Sequence, residues 1–213
     1  MELFIFDLDG TLIDSKRDIV EAVNAARAEM GLPGLATETI ASYVGNGAPV
    51  LMQKAMGVNA SQEVVAEALR RFLEYYHRNP LVHTRLYPGV REALDELLAR
   101  GKKLAVLTNK PEVITNQIVA GLNLKNHFFR CYGGDSLIER KPHALGIEKL
   151  MDEAEIGPEQ TLMVGDSYVD IRTARNAGVT ACGVSYGFQP ESLLTEPPDF
   201  MIDDMRELLA HAG

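Results

Sequence analysis

Six short stretches of the chain are almost continuously apolar: LFIF at 3–6, KLAVLT at 103–108, FFRCYGG at 128–134, TLMVG at 161–165, TACGV at 180–184 and FMI at 200–202. Runs that do not alternate with polar residues are what strands show when both sheet faces are covered. Between them the apolar positions follow helical spacing. Residues 88–101 carry Val90, Leu94, Leu97 and Leu98 and stop at Gly101. Residues 111–121 open with Pro111, which suits a first helical turn, and residues 168–177 end at Gly178, a natural left-handed cap. Strands alternating with helices across short connections predict an α/β fold, a doubly wound parallel sheet.

One region breaks that rhythm. From residue 15 to 85 the pattern is helical throughout, with no convincing strand. Residues 16–31 place Ile19, Val20, Val23, Ala26 and Met30 on one face before Gly31, and residues 47–56 and 61–78 read as further helices. The expected organisation is therefore a Rossmann-like core formed by residues 1–14 and 86–213, with an all-helical cap domain at 15–85. An insert at the carboxyl end of a first parallel strand overhangs the edge where α/β folds bind ligands. The stripe Val64, Ala68, Phe72 and Tyr75 reads as the packed interior of that cap.

Composition narrows the class. With 213 residues, 46% hydrophobic and 24% charged, the chain fits one large or two small soluble domains. A net charge of -9 argues against nucleic acid or an anionic membrane as partner. Cys131 and Cys182 are the only cysteines and form no CxxC pair, which argues against zinc or a disulfide framework. There is neither a signal-peptide pattern nor an apolar stretch long enough to span a bilayer, so the cytoplasm is the expected location and a monomer or homodimer the expected state.

The chemistry gathers where the apolar runs end. LFIF runs into Asp7, Leu8, Asp9, Gly10 and Thr11, and Ser15 with Asp18 then reads as a capping box for the next helix. Thr108 and Asn109 follow the second run, and Asp166, Ser167 and Asp170 follow the fourth. Lys141 precedes a helix expected to open at Pro142. In a doubly wound sheet these ends converge on one crevice. Several carboxylates meeting there repel one another unless a hard divalent cation, Mg2+ above all, sits among them. Cation, hydroxyl and ammonium together suit a phosphoryl group. Asp7 then fits a carboxylate nucleophile that forms an aspartyl-phosphate, and Asp9 an acid and base for the leaving oxygen and the incoming water.

FDLDGTL, LTNK, RKP and GDSYVD, in this order, resemble the four motifs of the haloacid dehalogenase superfamily, and the resemblance spans essentially the whole chain. It implies Asp7 as nucleophile, Asp9 as acid and base, and Thr108 and Lys141 as phosphate ligands, with Asn109 beside them. Its magnesium would be held by Asp7, the Asp9 carbonyl and Asp166, with Asp170 as a ligand or a support. Within the superfamily, SYVGNGAPVLMQKAMG and YGGDSLIERKPH look most like phosphoglycolate phosphatase, except that Ala144 stands where that group has proline. The activity implied is hydrolysis of a small anionic phosphate monoester, 2-phosphoglycolate first. An inorganic pyrophosphatase, a phosphomutase or another small-sugar or nucleotide phosphatase would use the same core.

Other readings fit less well. A signalling receiver domain also phosphorylates an aspartate on a parallel sheet, but it is shorter and has no insert after its first strand. A Gly45, Asn46, Gly47 turn in the cap is expected to drop onto the substrate, and Arg17, next to the first hinge, is the expected partner of a substrate carboxylate. Ser167 with Asp170 also fits a capping box, which gives Asp170 a second possible role.

Overall fold

The computed structural model describes residues 1–212. The chain opens with β1 (Leu3–Phe6) and the two-residue β2 (Ile13–Asp14), then runs through α1 (Lys16–Glu29), α2 (Thr37–Ala41), α3 (Ala48–Met56) and α4 (Gln62–Arg78). It returns through β3 (Arg85–Leu86) and continues as α5 (Val90–Ala99), β4 (Lys103–Leu107), α6 (Glu112–Gly121), β5 (Arg130–Tyr132) and α7 (Leu145–Ala154). β6 (Thr161–Gly165), α8 (Tyr168–Ala177), β7 (Thr180–Val184) and β8 (Phe200–Ile202) complete it. Six strands form one parallel sheet in the order β5-β4-β1-β6-β7-β8.

Side chains on neighbouring strand residues point to opposite faces, and β1 shows it. Phe4 and Phe6 enter one buried layer with α5 and α6, while Leu3 and Ile5 enter the other with α7 and α8. All four are fully buried, each worth about 1.5–3 kcal/mol of transfer free energy. β1 therefore lies mid-sheet with both faces covered, so its last residue can be aimed with little play.

The helical insert packs its own interior. Ala22, Val23 and Ala26 of α1 meet Ala68, Phe72 and Tyr76 of α4. The expected stripe is rotated slightly: Tyr76 is buried where Tyr75 is half-buried and Val64 exposed. β2 and β3, invisible in the sequence pattern, pair antiparallel where the insert leaves and rejoins the core, Ile13 opposite Leu86 and Asp14 opposite Arg85.

Two further expectations are corrected. The Ser15–Asp18 capping box does not form. Asp18 is buried and instead accepts hydrogen bonds from the backbone N–H groups of His83 (2.9 Å) and Thr84 (2.9 Å) and from the Thr84 hydroxyl (2.7 Å). It thereby bolts the start of α1 to the strand that leads out of the insert. Pro142 does not open a helix either. Residues 142–144 form a turn and α7 starts at Leu145, whose N–H donates to His143 Nδ1 at 3.1 Å.

Candidate active site

β4, β1 and β6 lie side by side in register, Phe6 opposite Val106 and Val164. The next residues beyond these strands are therefore neighbours at one sheet edge: Asp7 and Asp9 after β1, Thr108 after β4, Asp166 after β6. Gly10 makes the turn possible. Its φ is +84°, and a Cβ there would lie 2.3 Å from Asp166 Oδ2, so only glycine lets this loop pass so close to that carboxylate.

Asp7 is buried. Burial pushes its carboxyl up to about 6, against the pull of Lys141, and Asp170 and Asp9 push it the same way. Lys141 Nζ stands 2.9 Å from Asp7 Oδ1 and 2.6 Å from Asp170 Oδ1. Burial opposes the ammonium charge, but Asp170 and Asp7 outweigh it and hold Lys141 well above the ordinary lysine range. The 2.9 Å approach is an ion pair only: Asp7 Oδ1 meets no donor in hydrogen-bonding geometry. A buried acceptor left so is costly unless something else binds it.

Asp166 is pushed up in the same way, by burial first and then by Asp170 and Asp7. It is oriented by the Phe188 N–H at 2.7 Å. Oxygens of Asp7, Asp166 and Asp170 approach within 4.8 Å of one another. Asp170, however, has both oxygens engaged. Oδ1 accepts from Lys141, and Oδ2 accepts from the Ser167 N–H at 3.1 Å and hydroxyl at 2.8 Å, so it caps α8 and steers Lys141 at once. No backbone N–H among the described residues donates to the Asp9 carbonyl. The undonated oxygen of Asp7, the carbonyl of Asp9 and the carboxylate of Asp166 fit a hard divalent cation.

Asp9 is held differently. Ser15 donates to its Oδ1 at 2.5 Å, and Lys110 Nζ reaches both oxygens, at 2.9 and 3.0 Å. The same ammonium donates to the Tyr76 hydroxyl at 2.5 Å and lies 4.3 Å from the centre of that ring. Burial pushes Lys110 down and Asp9 opposes it. Burial, then the charges of Asp9 and Asp18, push the Tyr76 phenol well up, so it keeps its proton. Lys110 and Tyr76 were both overlooked in the sequence, although Lys110 closes the LTNK stretch and Tyr76 sits one helical turn after Phe72.

A cavity of about 50 Å³ lies between this edge and the insert. Asp7, Asp9, Thr108 and Asp166 floor it, and Ala48, Leu51 and Phe72 roof it. Gly45 and Gly47 also line it, as expected. The Gly45 carbonyl accepts from Asn109 Nδ2 at 2.9 Å, Asn46 Oδ1 accepts from the Tyr168 hydroxyl at 3.3 Å, and Gln189 Nε2 donates to the carbonyls of Ala41 and Val44. Asn109 lines the cavity, but its amide nitrogen is committed to this loop and, at 3.0 Å, to the Lys141 carbonyl. Arg17 is not brought here. It pairs with Glu21 at 2.9 Å on an exposed face and lines a separate hollow with Asp14 and His83.

Among the described residues no helix is long and apolar enough to cross a membrane. Residues 4–184 match the profile of the haloacid dehalogenase-like hydrolase family. The phosphoglycolate phosphatase of Vibrio vulnificus (strain CMCP6) is 37% identical over 98% of this chain and 95% of its own length. That of Haemophilus influenzae (strain 86-028NP) is 38% identical over 98% and 96%. The crystal structure of a predicted phosphoglycolate phosphatase from Haemophilus somnus 129pt superposes with a TM-score of 0.94 at 34% identity, covering 100% of this chain and 98% of that one. The chain belongs to the haloacid dehalogenase-like hydrolases, as a phosphoric monoester hydrolase.

Proposed function

We propose that this phosphatase hydrolyses a small anionic phosphate monoester, 2-phosphoglycolate, with magnesium and through an aspartyl-phosphate on Asp7. The observation that carries the reading is Asp7 itself: a buried carboxylate on the cavity floor, ion-paired with Lys141 and within reach of the carboxylates of Asp166 and Asp170. Relatives named as phosphoglycolate phosphatases over the full length supply the substrate. The cavity's size, about 50 Å³ beneath the roof of α3 and α4, suits a small ester.

The residues divide the work by position. Thr108 and Lys141 receive the phosphoryl oxygens, and Lys141 also shields Asp7 from the charge of its own substrate. An Asp7 oxygen attacks phosphorus as the bond to the glycolate oxygen breaks, and Asp9 passes a proton to that oxygen. Asp9 then takes a proton from water, whose oxygen attacks phosphorus and releases Asp7 and inorganic phosphate. A magnesium ion held by Asp7, Asp166 and the Asp9 carbonyl would neutralise the crowded carboxylates and the phosphoryl charge. Asp170 holds Lys141 in place, and residues 15–85 act as the lid that excludes bulk water.

The test is phosphate release from a panel of small phosphate esters with and without magnesium, for the wild type and Asp7→Asn. The wild type should prefer 2-phosphoglycolate. The amide, a poor nucleophile and a poor cation ligand, should lose at least about a thousandfold, roughly 4 kcal/mol of barrier. Release by Asp7→Asn at near the wild-type rate would remove Asp7 from the mechanism.

A further inference from the structure

The cavity is lined by three carboxylates, those of Asp7, Asp9 and Asp166, and among the described residues only one cation lines it, Lys110. Lys141, 2.9 Å from Asp7, belongs to the phosphoryl end, and Arg17 faces elsewhere. An anionic group at the far end of a substrate, beyond the phosphoryl machinery, finds Lys110 as the one cationic side chain lining this cavity among the described residues.

We infer that Lys110, together with the Tyr76 hydroxyl that α4 lowers onto it, receives the second anionic group of the substrate, a carboxylate one carbon beyond the ester-bearing carbon's oxygen, and so determines which esters are hydrolysed. The inference rests on the reading above and assigns a residue pair to the end of the substrate that the phosphate machinery does not touch. The order of groups fits. The phosphoryl end belongs to Asp7 and the ester oxygen to Asp9, and Lys110 Nζ lies 2.9 and 3.0 Å from the Asp9 oxygens on a side chain that lines the same cavity. Tyr76 already accepts a hydrogen bond from Lys110, so its own hydroxyl proton is available to a second acceptor. One half of the site sits on the core and the other on the insert, so it is complete only when the two are together.

The present hydrogen bonds add a second consequence. Both Asp9 oxygens are covered, Oδ1 by Ser15 and Lys110 and Oδ2 by Lys110. Proton transfer to the ester oxygen needs one of them uncovered. A substrate carboxylate competes for the Lys110 hydrogens and loosens their hold on Asp9, whereas a neutral group does not. An ester with a carboxylate is therefore bound better and turned over faster than its neutral analogue.

The experiment compares kcat/KM for 2-phosphoglycolate with that for 2-hydroxyethyl phosphate, which has an alcohol in place of the carboxylate, in the wild type, Lys110→Met and Tyr76→Phe. The wild type should favour the acid. Lys110→Met should lower the ratio of the two values about 10–100-fold, the effect of losing a hydrogen bond to a charged group, and Tyr76→Phe about 3–10-fold. Equal losses on both esters in Lys110→Met would make Lys110 a positioning residue for Asp9 and overturn the inference. Should the methionine variant not fold, because Asp9 loses its buried partner, Tyr76→Phe decides, since it keeps the ion pair: an unchanged ratio overturns the inference. A wild type without preference for the acid overturns the proposed substrate and this inference with it. A preference that stays undiminished in both variants overturns the inference alone.

Discussion

At the scale of single residues the site is a balance of buried charge. The carboxyl of Asp7 is pushed up from 3.8 to about 6 by burial, and Asp166 moves in the same direction. A carboxyl raised in the folded state holds its proton there after the unfolded chain has released it. Through that window, from about pH 4 to about pH 6, stability therefore falls as pH rises, by on the order of 1–3 kcal/mol for Asp7. The raised ammonium of Lys141 contributes stability that is fully present through this window and is lost only as pH rises through the alkaline range. A cation bound among the carboxylates cancels the penalty only where they are ionised. Magnesium should accordingly raise the melting temperature more at about pH 7.5 than at about pH 5; equal shifts in a pair of calorimetric scans would mean that the ion does not sit with Asp7 and Asp166. Asp7, Thr108 and Asp166 were legible from the sequence because each follows a strand directly, and strand ends on one sheet edge must meet, while Asp9 lies just beyond Asp7 and Lys141, well past β5, was legible only through the RKP motif. Lys110 and Tyr76 were not, because their partnership spans 34 positions, from α4 to the end of β4, and nothing in the local spacing of either announces the other.

At the scale of elements, the strands were read almost to the residue: Thr161–Gly165, Thr180–Val184 and Phe200–Ile202 coincide with the apolar runs. The short α2 and the two-residue strands β2 and β3 were missed, since each is too short for its pattern to repeat. Ser15 and Asp18 show how a correct local rule loses to a distant partner. Asp18 stands at the right spacing to close a capping box, but three donors on His83 and Thr84 take its carboxylate. Removing it leaves those donors buried and unpaired. Asp18→Ala should cost about 2–4 kcal/mol in urea unfolding, and Asp18→Asn less, because the amide oxygen keeps one acceptor. A loss below about 0.5 kcal/mol would show that water replaces the carboxylate freely.

At the scale of the molecule, the insert touches the sheet edge through the loop at 41–47, held from the core side by Asn109, Tyr168 and Gln189. Gly47 has φ of +88°, and a Cβ there would stand 3.3 Å from the Asn109 carbonyl oxygen and 3.5 Å from the Arg140 guanidinium. Gly47→Val should lift the loop and lower kcat/KM for 2-phosphoglycolate at least about tenfold, while acetyl phosphate, small enough to react at Asp7 without the roof, loses much less. Steady-state kinetics on both substrates decide it: parallel losses would mean that the loop serves the fold and not the substrate.

The pairing of β2 with β3 carries one more consequence. Asp14 and Arg85 are opposite one another, and the Tyr87 N–H donates to the Leu12 carbonyl on the core side of the same seam, at 3.1 Å. The chain thus departs and returns through adjacent positions, separated by one antiparallel strand spacing of about 5 Å. Nothing at that seam records how many residues lie beyond it, because the entropy of closing a loop grows only with the logarithm of its length. The core presents a graft point. The helical segment is a scion whose size and shape can change over evolutionary time while the stock keeps its strand order and its hydrolytic residues.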